Sequence, residues 1–185
     1  MNLNSFVTSN LMTNYRITKY DPSKRNEQGH YIDSTEWTAI SDIGKPEYNL
    51  TSYSEYEKVE NSYVESIMEI MKINHISELK ISDLESRNTK QDFEEFEKSG
   101  RLKNVSVNYE TEIQILSNGT NVMASSISKL IRLILRETIW MKLNSPQLIV
   151  EFGYDYYMYV KCQKLASQVI SKIEELGLYV ETYNI

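Results

Sequence analysis

Apolar residues recur along this chain in two rhythms. Steps of three and four join Tyr56, Val59, Tyr63, Ile67, Ile70 and Met71, which predicts a helix over 52–74. Ser52 and Glu55 stand at capping-box spacing at its start. A second helical run, 120–143, is apolar around most of its circumference, from Ile127 to Leu143, and offers a surface for a homodimer. A third, over 163–176, carries Leu165, Ala166, Val169, Ile170, Ile173 and Leu176 as one stripe and stops at Gly177. A shorter helix, 89–99, presents Phe93 and Phe96 and stops at Gly100.

Alternation by two marks the strands. It appears at 16–20, around Leu79 and Ile81, and at 178–181, with short strands expected at 31–32 and 36–40. Val105, Val107, Tyr109, Ile113 and Ile115 predict extended chain closed by Asn118-Gly119. The runs 148–152 and 156–160 flank Gly153-Tyr154-Asp155 and predict a β-hairpin. This order predicts an α+β fold: a mostly antiparallel sheet with about three main helices on one face. One domain over 1–185 is expected, with a flexible lead-in at 1–14 and a loop-rich segment at 21–50.

At 185 residues and 41% hydrophobic, the chain is long and apolar enough to build a core. It shows no secretory signal and no apolar stretch able to span a bilayer, so a cytoplasmic, non-membrane protein is expected. Twenty Lys and Arg against 26 Asp and Glu give a net charge of −6, which argues against gripping nucleic acid. The excess is local. Between 53 and 99, twelve acids face six bases, which accounts for the whole of that charge. Such a surface suits a basic protein partner.

Catalytic motifs are missing from the sequence. The six glycines are too scattered to cradle a phosphate, and His30 and His75 lack the spacing of a helical metal pair. The single Cys162 falls on the core side of its strand pattern. No catalytic residue, metal or cofactor is assigned. The 14 tyrosines are the most unusual feature, since tyrosine offers contact area at low entropy cost. Candidate partner-binding residues follow: Tyr31, Glu36, Trp37 and Asp42 in the loop-rich segment; Glu65, Glu69, Glu94 and Glu95 in the acidic segment; and Tyr157 and Tyr159 on the hairpin.

Two stretches carry a resemblance: Tyr15-Arg-Ile-Thr-Lys-Tyr-Asp-Pro22 leading to Glu36-Trp-Thr-Ala-Ile-Ser-Asp-Ile-Gly44, and Phe152-Gly-Tyr-Asp-Tyr-Tyr-Met-Tyr159. Along most of its length the chain resembles an uncharacterised family of small cytosolic bacterial proteins, associated with the immunity or antitoxin proteins of toxin systems. The resemblance implies a non-enzymatic protein that neutralises a basic toxin by binding it. It implies no catalytic motif and names no inhibitory residue. Two alternatives stay open: an enzyme with a dispersed carboxylate, Tyr or His site, and a nucleic-acid-associated protein using the basic residues of 128–142.

Overall fold

The computed structural model describes residues 12–105 and 108–183. Strand β1 (Thr13–Thr18) opens the fold, and a long loop with two short 3-10 turns, Pro22–Lys24 and Ile40–Asp42, leads to α1 (Tyr53–Ile73). There follow β2 (Glu78–Ser86), α2 (Lys90–Lys98), α3 (Tyr109–Gln114), β3 (Asn121–Met123) and α4 (Ala124–Leu135). The chain then runs through β4 (Ile139–Asn144), β5 (Leu148–Phe152), β6 (Met158–Cys162), α5 (Ser167–Glu175) and β7 (Tyr179–Thr182). The strands form one antiparallel sheet in the order β3-β2-β4-β5-β6-β1-β7. This is the α+β architecture that the two apolar rhythms predict.

Period-two alternation sorts the sheet into two faces. Tyr15 lies opposite Val160, Ile17 opposite Met158, and Leu148 opposite Cys162, all buried. Their alternates, among them Arg16, Trp140, Glu151 and Tyr159, stay partly exposed. Helix α1 packs against α4 and α5 over the buried rows. Its stripe residues Ile67 and Ile70 are 0% exposed, and burial of each contributes about 2 kcal/mol. The predicted capping box is in place: the Ser52 hydroxyl accepts the Glu55 N–H, and the Glu55 carboxylate accepts the Ser52 N–H. Thr89 and Asp92 close the same box on α2.

Under α1, Glu60 is wholly buried beside α4. Its carboxylate accepts both Nε and Nη2 of Arg136 at 2.6 and 2.7 Å, and Nη1 of Arg132 at 2.7 Å. Arg136, 1% exposed, spends its remaining Nη1 on the carbonyls of Arg101 and Lys103. Burial works against this guanidinium's charge, but Glu60 outweighs it and raises the pKa.

The structure departs from the periodic reading in three places. The span expected as one helix over 120–143 holds three elements: β3, α4 and most of β4. Helix α4 ends at Leu135 with Arg136 as its cap, and there the Thr138 N–H reaches the Leu133 carbonyl and the Glu137 N–H the Ile134 carbonyl. This is a Schellman closure with Glu137 in the left-handed region at φ 58°, a place glycine usually takes. Beyond it, 139–144 alternates buried and half-buried as a central strand. No continuous helical face therefore exists over 120–143 to pair across a two-fold axis.

Within the extended chain expected from 105 to 115, Tyr109–Gln114 is instead the helix α3, because Tyr109 and Ile113 are four apart and bury one face of it. Val107 lies outside the described residues, as do 1–11 of the lead-in expected to be flexible. The strands expected at 31–32 and 36–40 are absent. One bridge joins Arg25 to Tyr31. The Asp42 carboxylate curls the segment into a turn by accepting the N–H groups of Thr38 and Ala39 at 2.9 and 3.0 Å.

Candidate functional site

The connection between β5 and β6 is a tight turn built on two successive positive-φ residues. Asp155 and Tyr156 both adopt positive φ, 58° and 61°, and the Tyr157 N–H returns to the Tyr154 carbonyl at 3.2 Å. Two successive left-handed residues make a type I′ turn, which matches strand twist but favours Asn, Asp and Gly. Tyrosine there costs about 1 kcal/mol. Tight packing holds it. The Tyr156 hydroxyl donates to the Leu135 carbonyl at 3.0 Å, and its own carbonyl accepts the Tyr63 hydroxyl at 2.7 Å. Its ring meets Trp37 edge-on at 5.2 Å. Gly153 completes the turn, because a Cβ there would stand 2.9 Å from the Tyr159 ring. The anchored turn leaves Tyr154 at its tip, 85% exposed, beside the Trp140 ring at 5.7 Å.

A cleft opens on each side of this turn, and Thr38 and Asp155 line both. The first, about 450 Å³, runs between the turn, the end of α4 and the start of β4. Its interior includes Ile134, Leu135, Ile139 and Phe152, and its aromatic wall is Trp140 and Tyr154. Glu85, Glu137 and Asp155 also line it. A bulge in β2 between Ser82 and Glu85, with Asp83 at φ 52°, places Glu85 rather than Leu84 opposite Trp140. Glu85 and Asp155 make no ion pair among the described residues.

The second cleft, about 540 Å³, lies between the turn, β1 and the loop 20–48. Tyr20, Tyr31, Tyr48 and Tyr157 line it with Asp33, Glu36 and Arg16. Behind Glu36 sits Lys19, its side chain 4% exposed, ion-paired to that carboxylate. Its ammonium lies 3.8 Å from the Trp37 ring centroid and 4.5 Å from that of Tyr20. Burial pulls the Lys19 pKa down to about 8, against the opposing pull of Glu36. Burial likewise drives the Tyr20 hydroxyl well up. At the rim, hydrogen bonds from Thr35 and then Lys24 hold Asp33 down at about 2.

No family model, curated protein or solved structure matches this chain. Its own geometry therefore carries the functional argument.

The structure gathers some of the sequence-derived candidates and separates others. Tyr31, Glu36 and Tyr157 meet around the second cleft. Trp37 and Asp42 are buried, at 5% and 4% exposed. Trp37 roofs Lys19 and packs on Tyr56, while Asp42 is spent on the Thr38–Ala39 backbone and on Lys45. Burial would raise the Asp42 carboxyl, but these partners outweigh it and lower it. Tyr159 lies half-buried on the sheet between Tyr157 and Tyr183.

The acidic segment is mostly committed to the fold. Glu69 pairs with Lys172, and Glu95 with Arg87 and Arg101. Glu94 stands 3.9 Å from Lys90, and Glu65 is exposed on α1. Glu55 and Asp92 cap helices, and Glu60 is buried. Sequence reasoning missed Lys19, Glu85, Glu137, Trp140, Tyr154 and Asp155. The available signal was an aromatic hairpin turn whose glycine, Gly153, precedes the positive-φ positions.

Other chemistry is sparse. Cys162 is fully buried, and burial pushes its thiol up to about 11. His75 sits at φ 53° just past α1, and its N–H closes on the Lys72 carbonyl. No group of three His, Cys, Asp or Glu among the described residues is placed to hold a metal. No helix among them is long and apolar enough to cross a membrane.

Proposed function

We propose that this is a non-enzymatic binding protein of the immunity or antitoxin kind, which neutralises a basic partner by covering it. The supporting observation is the β5–β6 turn. It places an exposed tyrosine and the Asp155 carboxylate, unpaired among the described residues, at the seam of two aromatic-lined clefts. Rigid aromatic anchors beside unspent charge are what a protein interface needs, since they lose little entropy on docking. The net charge of −6 favours a cationic partner. In this reading the contact surface is the turn and its clefts. Half of the twelve acids of 53–99 are ion-paired among the described residues, and the segment contributes mainly a background field.

The test is a pull-down from the source cell at low and moderate salt, with the product of the neighbouring gene coexpressed and captured proteins identified by mass spectrometry. One stoichiometric basic protein is expected, its capture falling with salt. Tyr154→Ala should weaken that capture about tenfold. Failure to retain any protein partner, or capture indifferent to both salt and Tyr154→Ala, would overturn the proposal.

A further inference from the structure

The first cleft combines an apolar interior with unspent negative charge. The one cation that lines it among the described residues, Arg87, is held by Asp92 at 2.8 Å and Glu95 at 2.6 Å, so its charge is already answered. Glu137 is partly answered by Arg101 at 3.2 Å. Glu85 and Asp155 are answered by no cation among the described residues. A cleft with this balance repels anions and favours cations over neutral ligands. Trp140 and Tyr154 add ring surfaces whose quadrupoles attract cations.

We propose that this cleft receives a lysine or arginine side chain of the protein partner. The alkyl stem would lie along Trp140 and Tyr154, and the cationic head would stand among Glu85, Asp155 and Glu137. About 450 Å³ gives room for such a side chain and the short backbone segment that bears it. Two backbone devices prepare the site before any partner arrives. The β2 bulge brings Glu85 opposite Trp140, and the left-handed turn fixes Asp155 beside Tyr154. Both are local irregularities that regular strands would not need. The inference rests on the binding-protein reading above and names the chemistry of the anchor.

The test uses the full chain and two small probes, Nα-acetyl-arginine ethyl ester and its neutral isostere Nα-acetyl-citrulline ethyl ester. Binding is followed by NMR at the two indole N–H signals, assigned through Trp140→Phe. Trp37 is buried and serves as the internal control. The acetylated arginine ester should shift the Trp140 signal saturably and leave Trp37 unmoved. The double variant Glu85→Gln/Asp155→Asn should weaken that binding by about threefold or more, as should raising the salt. Asn tolerates the left-handed conformation of position 155, so this variant keeps the turn.

Equal shifts from the citrulline ester would overturn the proposal, as would an unaffected double variant or no saturable shift at Trp140. Partner capture that survives Glu85→Gln/Asp155→Asn unchanged overturns this inference alone. Probe binding at Trp140 with no protein ever captured supports the cleft chemistry and overturns the binding-protein reading instead.

Discussion

Two buried ion pairs in this protein face the same difficulty and meet it differently. Glu60 and Arg136 lie under α1, at 0% and 1% exposed, and every charged atom finds a partner: two parallel bonds between them, Arg132 on the carboxylate, and two carbonyls on the guanidinium. Lys19 and Glu36 lie behind the second cleft. There the lysine is buried but the carboxylate keeps 21% exposure, and two aromatic rings stand where further hydrogen-bond acceptors would. The first pair is closed and welds α1, α4 and the loop after α2 into one unit. The second is open on one side and leaves its ammonium under-solvated, with a pKa near 8. Interior charge that is fully partnered acts as structure. Interior charge at the wall of a cleft stays responsive to what enters the cleft or to pH.

The largest effect expected from this contrast is at Glu60. Glu60→Gln leaves Arg136 buried with its charge uncompensated and should lower stability by about 3–5 kcal/mol, read from the urea midpoint. The double variant Glu60→Leu/Arg136→Met should recover much of that loss, because neither charge is then stranded. A Glu60→Gln protein with wild-type stability would mean that the pair is not closed in solution.

A smaller effect, and one of opposite character, is expected at Lys19. The unfolded chain holds this proton up to the ordinary 10.5, whereas the folded chain releases it near 8. Across that window the unfolded state binds more protons, so stability rises with pH. Below it both states are charged, and the folded one bears the full desolvation cost. The Lys19 contribution should grow by about 2 kcal/mol between roughly pH 8 and 10. Above about pH 10 the buried tyrosines reverse the trend. Burial raises Tyr20 and Tyr63, so the unfolded state loses those protons first and is favoured as pH climbs. Urea titrations of wild type and Lys19→Met across this range isolate the effect. The rise should be present in the first and missing in the second, and equal slopes would place Lys19 in water.

How much of this was legible depended on whether a single residue carries the signal. The starts of α1 and α2 and the ends of α2 and α5 rest on residues whose chemistry does one job: Ser52 with Glu55, Thr89 with Asp92, Gly100, Gly177. The end of α4 could not be read, because its left-handed residue is Glu137 and the following strand, 139–144, keeps a pattern that suits a helix or a strand. The loop 20–48 is ordered by long-range contacts, such as the Trp37 ring on those of Tyr56 and Tyr156, which no local window contains. At the candidate site, Tyr31, Glu36 and Tyr157 stood out by residue type and do converge. Glu85 and Trp140 meet only because β2 bulges, and Asp155 matters only because the turn falls one step beyond where Gly153 suggests.

The smallest effect is expected where an ion pair lies in water. Glu137 is half exposed and pairs with Arg101 at 3.2 Å. Such pairs contribute a few tenths of a kcal/mol at most in ordinary geometry. The same residue carries a backbone cost, since its Cβ opposes the left-handed conformation that ends α4. Glu137→Gly removes both the pair and the cost. A gain of about 0.5 kcal/mol is expected, visible as a raised urea midpoint with an unchanged slope. Glu137→Ala removes the same carboxylate but keeps the Cβ, so it should be less stable than Glu137→Gly and reports the backbone part by difference. Suppose instead that both variants lose stability on the scale of Glu60→Gln. Then Arg101, whose carbonyl accepts from Arg136, would need the Glu137 carboxylate to hold that carbonyl in place. The closed network under α1 would extend to the lip of the first cleft, and the division between structural and responsive charge would fall at Asp155 and Glu85.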